Sequence, residues 1–133
     1  MTLDDAAQAV ARARQLLGLP ALQEGSAWRV RRLTAPGAYF LVHVDDRLAC
    51  VEASSGTLMA SAASPHTPVG ISREAALARA GLGADASAEL VWKPCAATMS
   101  MFDPLWLVRH GHESIFVDQR NKRWPTLPTT SPG

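Results

Sequence analysis

Cysteine is scarce in this chain of 133 residues: Cys50 and Cys95 are its two, and neither begins a Cys-x-x-Cys pair. That excludes a disulfide-dense secreted scaffold and removes the usual spacing of a zinc site. Charge of one sign is lacking as well. Thirteen lysines and arginines face twelve aspartates and glutamates, a formal net charge of +1. No global field therefore draws the chain to DNA, RNA or an anionic membrane. No stretch approaches the roughly 18 uninterrupted apolar residues of a membrane-spanning helix. The opening "MTLDDAAQAVARARQLLGLP" has no basic start followed by an apolar run, so no signal peptide is expected and the cytoplasm is the expected compartment. Glycine forms no phosphate loop, and no Gly-x-Ser-x-Gly elbow presents a nucleophile.

What is present is an ordinary globular share of apolar residues, 47%, in a length that suits one domain or two small repeats. Thr2 is placed to cap a helix whose apolar stripe is Leu3, Ala6, Val10, Ala13 and Leu17, ended by Gly18 and Pro20. "SAWRVRRL" alternates and predicts a half-buried strand. "YFLVHVDDRLACVEASSG" predicts a hairpin turning at Asp45-Asp46, and "SPHTPVG" predicts a linker. The order then recurs. Ser72 caps a helix through Ala80, Gly81 and Gly83 stop it, "AELVWK" is a strand, and "PLWLVRHGHESIFVDQ" is a second hairpin turning at Gly111-His112. A shift of 66 positions lays the first hairpin, 39–52, on the second, 105–118, without a gap. The expectation is an α+β protein of two helix-plus-antiparallel-sheet repeats packed as one compact unit. Repeat 1 covers 1–62, a linker 63–71, repeat 2 72–128 and a flexible tail 129–133.

The spacing pairs Phe40 with Val51, Val42 with Ala49, Trp106 with Val117 and Val108 with Ile115, which sets one apolar face of each hairpin toward a helix. Gly111-His112 suits a type II′ turn and Asp45-Asp46 a type I′ turn. His110 and Glu113 then meet at a hairpin tip as a cross-strand pair, not as a metal site with His112, Cys50 and Cys95. Ser54 and Ser55 read as turn residues. Glu52, Asp103 and Asp118 are the acids available for acid–base work if the fold brings them together. "RVRR" at 29–32 and "QRNKRW" at 119–124 read as solvated strand-edge charge, though Trp124 offers a face on which a base can stack. No catalytic residue, metal or cofactor is expected.

The stretch "FLVHVDDRLACVEASSGTLM", residues 40–59, resembles the PepSY domain, a small helix-plus-sheet module of the wider cystatin-like group. The features in common are a preceding alanine-rich helix, an exposed hairpin, and Val51-Glu52 followed by Gly56 and the apolar pair Leu58-Met59. Residues 117–118 keep Val-Asp, but Lys122 stands where the glycine belongs. The resemblance implies a protein-binding or inhibitory module, similar in layout to some bacterial immunity and inhibitor proteins.

These readings converge on a non-catalytic protein-binding module of inhibitor, immunity or adaptor type. Its partner is a toxin, enzyme or client protein, with a homodimer possible and neither nucleic acid nor membrane expected. The expected surface is the side of the sheet turned away from the helices, with Tyr39, Leu41, His43, Leu107, Arg109 and Phe116 as contacts, because so many large side chains there require a cover. The alternative is an enzyme or a binder of a small apolar ligand, with a pocket between helices and sheet.

Overall fold

The computed structural model describes residues 2–95, 98 and 100–125. The tail expected at 129–133, and the last three residues of the second segment, lie outside them. The chain is α+β and divides into two compact units, residues 1–68 and 69–133. Among the described residues no helix is long and apolar enough to cross a membrane.

The first unit contains α1 (Ala6–Leu16), β1 (Ser26–Arg32), β2 (Ala38–Val44), β3 (Arg47–Glu52) and β4 (Leu58–Ala63). Its strands form an antiparallel meander in the order β4-β3-β2-β1. The expected pairs Phe40–Val51 and Val42–Ala49 are present, and Val44 pairs with Arg47 beside the turn. Ala9, Val10 and Ala13 of α1 pack with Leu3 on Phe40, Val42, Val44, Ala49 and Val51. One face of a four-strand sheet thus buries against one helical stripe. Ala6, expected in the stripe, is exposed.

The helix starts later than Thr2 predicts. Leu3 is buried in the core and its N–H donates to the Ala53 carbonyl, which holds the chain extended there. Asp5 becomes the N-cap and accepts the Gln8 N–H at 2.9 Å, while the Gln8 side chain accepts the Asp4 N–H. Thr2 instead donates to the Ser54 carbonyl.

The second unit runs α2 (Arg73–Ala80), β5 (Ser87–Trp92), β6 (Leu105–His110), β7 (Glu113–Val117) and β8 (Arg123–Trp124), with strands in the order β5-β6-β7-β8. Ser72 caps α2 as expected, and Gly81 ends it in the left-handed region at φ 67°. Trp106–Val117, Val108–Ile115 and His110–Glu113 pair as expected. Trp106 is buried, and its indole N–H donates to the Ile71 carbonyl at 2.9 Å. Ile71, placed by sequence at the end of a linker, is therefore a core residue of this unit.

Both hairpin turns carry positive φ at the first central residue, Asp45 at 53° and Gly111 at 61°, and not at the second. That sign pattern is that of a II′ turn, so the I′ assignment for Asp45-Asp46 is corrected. Two strands were not expected. "LMASAA" has neither alternation nor β-branched residues. It becomes β4 because the outer backbone groups of β3 need partners, and tertiary pairing overrides propensity. β8, two residues long, pairs with β7 in the same way.

Candidate binding surface

The sheet side expected to meet a partner is closed at its largest residues. Tyr39 and Leu41 have no exposed surface and Leu107 has 4%. Leu48, Cys50 and Leu105 of the same alternation are also buried. His43 and Phe116 are half-buried, and His43 Nε2 lies 3.2 Å from the Ser64 carbonyl oxygen. Arg109 alone of the six is exposed, with Glu89 3.9 Å away. An open face at Tyr39, Leu41 and Leu107 is thus corrected: alternation separates two faces of a strand but does not say what covers each.

The outer edge of the first unit is open instead. β4 ends the strand order, and among the described residues no strand pairs on its far side. Backbone geometry identifies the groups that face outward. Ser64 N–H donates to the Asp46 carbonyl and Glu52 N–H to the Thr57 carbonyl, so even-numbered residues of β3 direct their N–H and C=O toward β4. Their partners, Ala62 opposite Leu48 and Ala60 opposite Cys50, point inward. Ser61 and Ala63 therefore turn their N–H and C=O away from the sheet, and both are exposed. A register shift between Cys50 and Val51 makes Met59 the extra residue of a β-bulge. From Ala60 to Ala63 the edge is regular.

Residues 58–65, "LMASAASP", contain no ionisable side chain. Edge strands are ordinarily blunted by lysine, by proline or by shortness. The outer strand of the second unit has two of those features, since β8 is two residues long and carries Arg123 beside Lys122. β4 has none of these three within its six residues, and its bulge at Met59 leaves Ala60 to Ala63 regular.

A groove of about 280 Å³ lies along α1, lined by Thr2, Leu3, Gln8, Ala11, Arg12 and Gln15. Arg12 ties it to the turn before β4, since its Nε–H donates to the Gly56 carbonyl at 2.8 Å. Further grooves lie between α1 and β1, around Val10, Gly25 and Trp28, along α2 from Gly70 to Arg79, and at the C-terminal end of α2. Among the described residues, no histidine or carboxylate lines any of these four.

The other candidate residues are occupied within the chain. Glu52 accepts hydrogen bonds from Ser55 at 2.6 Å, Ser54 at 3.2 Å and Arg32 at 3.3 Å. The serine hydroxyls, Ser55 foremost, hold its carboxyl below the ordinary range. Asp118 is fully buried and accepts the N–H groups of Arg120, Lys122 and the Trp124 indole at 2.8, 3.0 and 3.0 Å. Burial alone would raise its pKa, but Trp124 and those backbone donors outweigh it and lower the pKa. Arg120 lies 3.5 Å from Asp118 and 3.4 Å from Asp103, whereas Glu52 belongs to the other unit. Trp124, whose face was a candidate for stacking on a base, has Lys122 Nζ 4.2 Å from its ring centroid. His110 packs over Gly83, and among the described residues no three His, Cys, Asp or Glu side chains form a group that could hold a metal ion.

Arg14 was not anticipated. Its side chain is 1% exposed on the core stripe of α1, and it donates to the Glu24 and Pro20 carbonyls and to Asp45 at 3.0 Å. No sequence signal separates it from the half-buried Arg12, since the two flank Ala13. No family model matches the chain, and no curated protein or solved structure matches it.

Proposed function

We propose that this chain is a non-catalytic protein-binding module of inhibitor, immunity or adaptor type that takes an extended segment of its partner by strand addition at β4. The observation that carries the reading is the neutral, six-residue outer strand with Ser61 and Ala63 directing backbone N–H and C=O outward. Main-chain bonds of that kind supply affinity, and pockets for alternate side chains supply specificity. The Arg12 groove beside Gly56 is placed for the second task. The PepSY-like stretch at 40–59 ends on this strand and supports the same reading. The common order of one helix and four strands, with hairpin turns 66 residues apart, supports two repeats as the origin of the units. Two buried thiols that form no disulfide fit a reducing compartment such as the cytoplasm.

The test is affinity capture from the source cell with the wild-type chain and with Ser61→Pro. Proline at an outward position removes a donor that β3 does not use, and Ala60 is already extended as a residue before proline must be. The partner is expected on the wild-type chain and absent from the variant. In amide exchange, the isolated partner should protect Ser61 and Ala63. Equal capture by a folded Ser61→Pro, or protection confined to other strands, refutes the reading.

A further inference from the structure

The open edge at β4 also fits a particular occupant, and this inference rests on the reading of that edge as a docking site. We infer that a second copy of this chain docks there, β4 against β4, antiparallel across a two-fold axis at Ser61, and that this pairing competes with any other partner.

Symmetry supplies the argument. In a two-fold interface each residue meets its own surface, so any charge near the axis faces a like charge. Residues 58–65 place none there. Side chains are small from Ala60 to Ala63, so a second backbone can approach to sheet spacing along the whole stretch. β8 meets neither condition, because Arg123 would lie close to its own copy.

The ladder also selects the register. The outward groups belong to Ser61 and Ala63, so hydrogen-bonded pairs must join odd-numbered residues. With Ser61 opposite Ser61, the pairing runs from Met59 to Ala63 and stays inside the strand. An axis at Ala62 would set Met59 against Pro65, which has no N–H. An axis at Ala60 would set Ala63 against Thr57, beyond the strand end and across the bulge. The Ser61 register avoids the missing donor and the strand end, and takes in the bulge residue Met59 only at its outermost pair.

Small side chains add little apolar burial to the backbone bonds, so the pairing is reversible, with a dissociation constant of roughly ten to a few hundred micromolar. Sedimentation velocity across that range should move the wild-type mass from one chain toward twice 14.2 kDa. Ser61→Pro should weaken association by about tenfold or more. Ser61→Lys and Ser61→Glu guard against a proline variant that fails to fold. Each alone should remain monomeric, and an equimolar mixture should pair, because opposite charges then meet at the axis. A single-chain mass for the wild type at every concentration overturns the inference, as does a dimer that survives in folded Ser61→Pro or a lysine–glutamate mixture that stays monomeric. A monomeric wild type that still captures a partner through Ser61 removes the dimer and leaves the protein-binding reading standing.

Discussion

Replacing Arg14 with methionine tests whether the first unit depends on one buried cation. Methionine keeps most of the buried apolar stem and removes the guanidinium. The guanidinium serves three acceptors: the Glu24 carbonyl at 2.9 Å, the Pro20 carbonyl at 3.4 Å and the Asp45 carboxylate at 3.0 Å. A hydrogen bond to a charged donor contributes about 1.5–3 kcal/mol, with the long Pro20 contact at or below the bottom of that range. Asp45 is 51% exposed, and water replaces most of what it loses, so the ion pair itself contributes about 1 kcal/mol or less. Removing the cation also relieves its own desolvation, which offsets part of the loss. The net expectation is about 2 kcal/mol. For a chain of this size that lowers Tm by about 6–10 °C. Urea unfolding at neutral pH measures it, with Asp45→Asn as the companion. Asparagine tolerates the left-handed φ of 53° at that turn, so its replacement should cost less than about 0.5 kcal/mol. The reasoning fails if Arg14→Met is as stable as the wild type. It also fails if Asp45→Asn costs as much as Arg14→Met, since the ion pair would then carry what is here assigned to the carbonyls.

Two further expectations concern the second unit. Trp106→Ala should destabilise by about 3–5 kcal/mol through the cavity it leaves, and Trp106→Phe by about 1 kcal/mol through the lost bond to Ile71; equal losses in chemical denaturation would refute that division. Asp118 has a folded pKa below its unfolded value, so its contribution is present at neutral pH and is lost as pH falls through the folded pKa. The stability gap between wild type and Asp118→Asn should therefore be widest near pH 7 and close in acid, and a gap independent of pH would count against the account.

The hairpins were legible in the sequence because two periodicities coincide there. Alternation marks the buried face from Phe40 to Val51, and a turn pair at the right distance sets the register. The helix start was misread because capping preference is local, whereas Leu3 is held extended by its bond to Ala53 across the unit. β4 was illegible for a related reason: alanine and serine carry almost no strand signal, and the need for the strand arises in β3. The candidate surface suffered most. Alternation set Tyr39, Leu41 and Leu107 on an open face, yet all three are buried, because alternation separates two faces without saying whether each is covered. Arg14 is the converse case, a residue type read as solvent-facing whose acceptors lie up to 31 residues away.

The placement of the two thiols makes the protein its own clock. Cys50 sits in the first unit and Cys95 in the second, each with no exposed surface. Burial pushes the Cys50 thiol up to about 12. At pH 8 only about one in ten thousand Cys50 thiols is ionised, so an alkylating reagent reacts at Cys50 almost solely through molecules that have opened. Labelling of the unmodified chain, resolved by peptide mass, then times the opening of each unit separately, without an engineered probe.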